Sequence, residues 1–538
     1  MKQRYGIAVL LAAVFLLTVA ACGREEAAAP AAPGQAAAPA DTDAADELES
    51  MTISVVFPST RIEVDFNGDD IARHFGEMFN VEWDPILVTS DTWAQNITIW
   101  VNARDLPDMV QWNFNYGDFV NWVDQGLIRR WPDDWRERWP NLATVHYASV
   151  VGPVLEEKMG GVYMLPRVIF FDKPTDPLVT HMNLWIRQDW AREVGVEVKD
   201  RYNIHELMEF ARLAIEHDLA GDGRTIGIDL SLGNMAGVFI SPFNPNSSHF
   251  YRDANGQIQW GPASYGTLEG LRLYSQAFRE GLINPDFFAI STGDELANFR
   301  SGISAITFDH GFGRGMVTQH HHFEANTGLD PWESLYMSIL VAPDGHHHTR
   351  EVTNFWTASI FSPAMPAERF YRLMDVLNYA ASEEGQNLIR MGFYGEHWYR
   401  DADGNAVITR DVDEHGNFIS LDLIFPSLNP LFNNLVILPD DFGLVDPGLP
   451  SEIRETVDHR YALKQELGAD AGTVELIDWD IFFFTSPAFE RARMDFAEEF
   501  ARLVTMDGDI EDNWRAWVDS QMPIVQIVLD EMNAQIGR

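Results

Sequence analysis

Two runs of histidine, His320-His321-His322 and His346-His347-His348, are the densest clusters of metal-ligating side chains in the chain. Successive side chains on a strand leave from opposite faces, so a triplet converges on one ion only if a second segment completes it. Unless the two triplets meet in space, exposed loops without a metal are expected. The acidic loops come next. Asp218-Leu-Ala-Gly-Asp222 carries Ala220 where a calcium loop needs an oxygen, which leaves too few for the usual six to eight or so ligands, and it reads as a tight turn. Asp401-Ala-Asp403-Gly-Asn405 spaces its oxygens better, yet it lacks the distal glutamate of such loops and its Asp-Gly pair signals a hairpin. Arg167, Arg187, Arg314 and Arg350 stand out because a guanidinium fork grips a carboxylate bidentately, which suits an acidic sugar such as a uronate oligomer. The competing account pairs each with one of the 81 Asp and Glu residues. The sequence has no Gly-x-Ser-x-Gly elbow, P-loop or His-Glu-x-x-His, and Gly311-Phe-Gly313-Arg-Gly315 is too sparse for a nucleotide site. Carboxylate pairs such as Glu156-Glu157 and Asp133-Asp134 say nothing of catalysis, because glycoside chemistry needs two carboxyls facing each other across a substrate. No catalytic residue and no cofactor are expected.

The elements that must position a site alternate from Met51 onward. TISVVF reads as a strand; Ile71, Phe75, Met78 and Phe79 form a helical face, and VEWDPILV a second strand. A second helix carries Trp93, Ile97, Trp100 and Val101, and DLPDMVQW gives a third strand. Strand, helix, strand, helix, strand implies a parallel sheet with right-handed crossovers, and such sheets bind ligands beyond the carboxyl ends of their strands. Trp112, Asn113 and Tyr116 fall there. Further on the chain is more helical: Leu207, Phe210, Ala211, Ala214 and Ile215 form a stripe opened by Asn203 and Glu206 at capping-box spacing. Leu268, Leu271, Tyr274 and Phe278 form another stripe, which Gly281 closes.

At 538 residues more than one domain is expected. Lys and Arg number 38 against 81 acids, and the net charge of −43 repels phosphate backbones, so no nucleic-acid partner is expected. The single cysteine, Cys22, rules out an intramolecular disulfide. It ends a segment in which Lys2 and Arg4 precede an apolar run, Ile7 to Leu17, of signal-peptide length. Val19-Ala20-Ala21-Cys22 resembles the bacterial lipobox, which implies a signal peptide over 1–21 and lipid attachment at Cys22. Residues 22–50, rich in Ala, Pro and acids, have little to bury and read as a disordered tether. The expected location is extracytoplasmic, anchored to the cell membrane through lipid.

A set of segments in a fixed order then resembles one family. NARDLPDMVQW, GGVYMLPRV (160–168), NLWIRQDWAREVGV (183–196), AGDGRTIGI, LRLYSQAFREGLINPDFF, FRSGISAI and NYAASEEGQNLIRMGFYGEHWYRDADG are similar to the extracellular solute-binding proteins of ABC importers. The likeness is to the family 1-like, large lipoprotein branch that serves carbohydrates, and it runs over nearly all of 51–538. It implies a periplasmic-binding-protein-like α/β fold of type II, two lobes with parallel-core sheets joined by crossover strands. Lobe 1 would take 51–165 and 343–395, and lobe 2 166–342 and 396–538, with crossings near Pro166, near Ser338 to Ala342 and after Gly395. Some relatives carry a calcium loop where Asp218 to Thr225 stands, and the departure at Ala220 argues against one here. The resemblance also implies an oligosaccharide held between the lobes and delivered to the membrane subunits of an ABC permease. The 17 Trp, 34 Phe and 14 Tyr suit the apolar faces of sugar rings, although core packing accounts for most of them. Phe355 and Trp356, where the chain re-enters the first lobe, join Trp112, Asn113 and Tyr116 as candidate ligand contacts, followed by Arg167, Asp309 and His310. Two other functions compete, a surface polysaccharide hydrolase or lyase and a peptide or siderophore receptor.

Overall fold

A computed structural model describes residues 49–58, 68–168, 182–289, 294–311, 313–351, 353–412, 418–419, 421–432, 435, 448–468 and 474–537 of the chain. The expected signal peptide, Cys22 and nearly all of the tether lie outside the described residues. Among the described residues no helix is long and apolar enough to cross a membrane.

The strands are β1 (Met51–Pro58), β2 (Val81–Val88), β3 (Met109–Asn113), β4 (Met164–Val168), β5 (Met182–Arg187), β6 (Arg201–Tyr202), β7 (Ile226–Ile228), β8 (Phe250–Arg252), β9 (Ile258–Trp260), β10 (Ser304–His310), β11 (Leu335–Leu340), β12 (Thr349–Arg350), β13 (Phe355–Phe361), β14 (Trp398–Arg400), β15 (Ala406–Ile408) and β16 (Val474–Glu475). They build two five-stranded sheets, in the orders β2-β1-β3-β13-β4 and β6-β11-β5-β10-β7. In the first, β1 runs parallel to β2 and β3, as the alternating pattern predicts. One strand in each sheet opposes its neighbours: β13 is antiparallel to β3 and β4, and β5 to β10 and β11.

Chain connectivity accounts for this reversal. Both β5 and β13 are entered from the other sheet, so each starts at the end nearest the crossovers and must run away from it. β4 and β11 leave for the other sheet and run toward that end. The carboxyl ends of β1 to β4 and of β7, β10 and β11 therefore all lie at the crossover side, where α/β sheets receive ligands. Two lobes of this kind, with α/β sheets joined by crossovers, form a periplasmic-binding-protein-like fold of type II.

Helices cover both faces of the first sheet. Ile53, Val55, Met109 and Phe361 point into one core, while Val56, Val110, Ala358 and Ile360 point into the other, following the two-residue period of a strand. The first helix, Asp70–Phe79, is capped by Asp69, whose carboxylate accepts the Ala72 amide at 2.7 Å and the Ser427 hydroxyl at 2.8 Å. Its stripe buries Ile71 and Phe75, but Met78 is exposed because the stripe rolls off the core at the last turn. In the second lobe the helix Ile204–Glu216 carries the expected capping box. The Asn203 side chain accepts the Glu206 amide, and the Glu206 carboxylate accepts the Asn203 amide at 2.9 Å. Gly281 has φ +69, the left-handed conformation of a helix terminator.

Pro166 and Arg167 are inside β4, paired with β13, and Ser338 to Leu340 are inside β11. The stretch after Gly395 packs differently from the expected third crossing. Leu421, Phe425, Leu428, Leu431, Phe432 and Leu435 are buried in the first lobe's core with Phe75 and Phe370. Leu449, Ile453 and Val457 then pack with Trp185 and Phe299 in the second lobe. The stretch assigned to lobe 2 from residue 396 thus stays on lobe 1 through Leu435, because its apolar residues complete that core.

Candidate functional site

The crossover end of the first sheet collects six of the eight ligand candidates, five on three adjacent strands and Tyr116 on the helix that follows β3. Asn113 closes β3 opposite Thr357, Phe355 opens β13 opposite Val168, and Arg167 sits next to it in β4. Trp112 and Phe355, each 4% exposed, are core residues. Trp112 shares the strand parity of Val110, and its ring lies 4.8 Å from that of Trp122, so it faces the helices and not the end of the strand. Asn113 is exposed. Tyr116 is half-buried at the start of the helix Tyr116–Asp124, and burial raises the pKa of its hydroxyl. Arg167 is largely buried, which lowers its pKa to about 10. Asp309 lies next to the carboxyl end of β10 in the second sheet, 3.7 Å from Arg300. The side chains of Trp356 and His310 lie outside the described residues.

The other sequence candidates resolve locally. Arg187 donates through Nε and Nη2 to Asp189 and lies over the Trp190 ring, in line with the pairing account. The Arg314 side chain is outside the described residues. His320 to His322 stand in the helix Gly313–Thr327 rather than in a loop. There His320 is buried edge-on to Trp332 at 4.6 Å, and burial lowers its pKa to about 4. His347 Nδ1 is 2.8 Å from the Leu340 carbonyl oxygen, and His348 Nε2 is 2.7 Å from Asp344. Among the described residues no three metal-ligating side chains converge. Asp218 accepts the Gly223 amide and the Thr225 hydroxyl in a tight turn, and Asp401 heads the β14–β15 hairpin.

The residues that sequence reasoning missed lie at IDWDIFFF, 477–484. The short helix Trp479–Phe482 is capped by Asp478, which accepts the Asp480 and Ile481 amides and also Arg252 Nε at 2.7 Å. Burial would raise the pKa of the Asp478 carboxyl, but Arg252 and the two amides outweigh that and hold it below its ordinary value. The capping bonds fix Trp479 in the wall of a cavity of about 430 Å³, beside Tyr251, Arg252 and Arg350. This combines a flat aromatic with forked planar donors and acceptors, which suits a ring with one apolar face and an edge of hydroxyls.

The same run connects the lobes. Ile481 and Phe484 are buried with Ile258, Val528 and Met532 on the second lobe, whereas Phe483 joins the core of the first. Phe482 stacks on Phe114, with rings 6.4 Å apart and 5° from parallel, and Phe483 meets Tyr116 edge-on at 5.1 Å. Trp479 in turn stacks on Phe483 at 5.6 Å. Trp479 is thus one ring removed from the loop after β3. The available signal was an aromatic run next to two aspartates, at a position that strand-end reasoning does not reach.

Two other cavities have ion-paired or hydrogen-bonded cations in their walls. In one of about 540 Å³, Arg136 pairs with Glu156; in one of about 680 Å³, the lining residues Arg460 and Tyr336 both donate to Asp200.

Compared with solved structures, the chain is similar to an S. pneumoniae ABC-transporter substrate binding protein, FusA, in complex with kestose. The two share 16% identity over 90% of this chain and 99% of that one, with a TM-score of 0.62. It is also similar to the alginate-binding protein AlgQ2 without calcium ion, at 16% identity over 90% and 98% of the two chains and a TM-score of 0.61. An HMO-binding, ABC-transporter-associated solute binding protein from Bifidobacterium longum infantis matches at 15% identity over 91% and 100%, with a TM-score of 0.59. No family model and no curated protein matches the chain. Likeness at this identity establishes the fold, that of two-lobed ABC-transporter solute-binding proteins.

Proposed function

We infer that the protein is the substrate-binding component of an ABC importer, which takes up an oligosaccharide between its lobes and hands it to a permease without making or breaking a bond. The observation that carries this reading is the double role of residues 477–484, which supply the aromatic wall of the cavity and also pack on the loop after β3. A solute resting on Trp479 would stabilise the Phe482 and Phe483 contacts with Phe114 and Tyr116. It would thereby shift the lobes toward the arrangement in which those contacts exist. Asn113 and Tyr116 would meet the ligand from the first lobe, with Arg167 behind them. Trp112 and Phe355 would support that surface from the core. The neighbours of known structure, named for kestose, alginate and HMO, point to the same ligand class.

The partners belong to this proposal as well. Acyl chains on Cys22 would hold the protein outside the cytoplasmic membrane, with the Ala/Pro/acidic segment as a leash to the permease. Cys22→Ser should release the protein from membranes into the soluble fraction.

A thermal-shift panel tests the function, since a ligand at a hundred times its Kd stabilises by ~2.7 kcal/mol. Oligosaccharides should raise Tm and peptides should not, and the sugar should come back intact, with no new reducing ends or unsaturated products. A response to peptides alone, or release of cleaved sugar, would replace the proposal with one of its competitors.

A further inference from the structure

The wall of the Trp479 cavity contains an unbalanced charge. Arg350, on β12, is mostly buried, which lowers its pKa, and the fields of Glu351 and Glu475 only partly offset this. Neither carboxylate is ion-paired with it among the described residues. The Glu351 carboxylate is turned to the Ile477 amide, which it accepts at 2.6 Å, and Glu475 is exposed. Arg350 Nη1 is buried with no hydrogen-bond partner. Across the same cavity Arg252 is committed through Nε to Asp478, but its Nη2 is likewise buried without a hydrogen-bond partner, 4.0 Å from Asp480. A buried guanidinium nitrogen that lacks an acceptor is costly. Arg252 Nη1 also donates to the Gly256 carbonyl, so what remains without a hydrogen bond is one nitrogen of each guanidinium, Arg350 Nη1 and Arg252 Nη2, and two such donors in one wall define a place for an acceptor.

We propose that the cavity recognises a carboxylate-bearing sugar unit, with Arg350 as the residue that sets specificity for the acid and Arg252 as its second donor. The sugar ring stacks on Trp479, and its carboxylate completes the hydrogen bonding of the two guanidiniums in the bidentate geometry that Arg favours. The rim carboxylates do not fill this place: Asp478 is used by Arg252 and the helix amides, Glu475 is exposed, and Asp480 is exposed and no nearer to Arg252 Nη2 than 4.0 Å. The chain's net charge of −43 slows the approach of an acid, but at physiological salt repulsion between exposed charges is screened beyond ~8 Å. This inference rests on the oligosaccharide-binding reading and narrows its ligand.

The test titrates tryptophan fluorescence of the whole purified protein with short oligogalacturonates, oligomannuronates and glucuronate-containing oligomers, with their methyl esters, and with neutral malto- and cello-oligosaccharides. Esterification keeps the ring and removes the charge. At least one acid should bind at least about tenfold more tightly than its ester, and Arg350→Gln should bring the acid down to the level of the ester. The apo Tm of Arg350→Gln should not fall, since an unpaired buried charge is removed, and Arg350→Lys should recover part of the affinity. Equal binding of acid and ester, or binding of neutral oligomers alone, overturns this proposal and leaves the importer reading standing. No response to any sugar overturns both.

Discussion

The contrast between Trp112 and Trp479 can be tested by truncation, because the two tryptophans should fail in opposite ways. Trp112 is 4% exposed and packed on Trp122, so Trp112→Ala removes nearly a full indole from the first lobe's core. An aromatic side chain buries ~150–250 Å², worth ~4–6 kcal/mol at ~25 cal/mol/Å², and measured aromatic-to-alanine losses in cores run at ~3–5 kcal/mol. At ~2–4 °C per kcal/mol for a cooperative unit of 150–250 residues or so, the apo Tm should fall by roughly 6–20 °C. The affinity of the protein that remains folded should change by less than about threefold. Trp479 is half-buried and held at the start of a capped turn, so Trp479→Ala should lower apo Tm by only a few degrees. Loss of a stacked sugar ring should nevertheless weaken ligand binding by about tenfold or more. Differential scanning calorimetry and fluorescence titration of both variants decide the matter. If Trp112→Ala abolishes binding with an unchanged Tm while Trp479→Ala leaves binding intact, the site has been placed on the wrong tryptophan.

Three further outcomes follow from the geometry. Phe483→Ala removes the ring shared by Trp479, Tyr116 and the first lobe's core, so it should weaken ligand binding and reduce the compaction that ligand produces in small-angle scattering. Burial lowers the pKa of His320 from 6.5 to about 4, so the unfolded chain binds the proton more readily; stability is fully present above pH 6.5 and is lost as the pH falls toward 4, by up to ~3 kcal/mol. In pH-dependent urea unfolding, His320→Gln should flatten that part of the profile, and an unchanged slope would contradict the assignment. Asn203→Ala should cost the helix Ile204–Glu216 about 1 kcal/mol by removing its capping box, measurable as a lower urea midpoint.

Local patterns in the sequence anticipated much of this fold. The parallel trio β2-β1-β3, the capping box at Asn203, the terminator at Gly281 and the Asp401 hairpin all depend on residues close together in the chain, where spacing and turn chemistry act directly. The third crossing depends on long-range packing. Nothing local to Leu421 or Phe432 says whose core they complete, and only the folded chain places them with Phe75. The site divides in the same way. Strand-end reasoning selected Asn113, Tyr116 and Arg167, which lie at the crossover end, together with Trp112 and Phe355, which are buried in the core, because the pattern gives a strand's end without the face each side chain takes. It missed Trp479, which reaches the cavity through a C-terminal segment more than 350 residues from β3. The histidine triplet at 320 was read with the wrong period, since in a helix its members fan around the axis and one of them is buried.

Isothermal titration of the purified protein with the oligosaccharide panel, followed by chromatography of the recovered sugar, tests the central claim most directly. The account predicts saturable binding of one ligand per chain, with the sugar recovered at its original length. Heat from continuous turnover with shortened products, or no binding of any oligosaccharide, would contradict it.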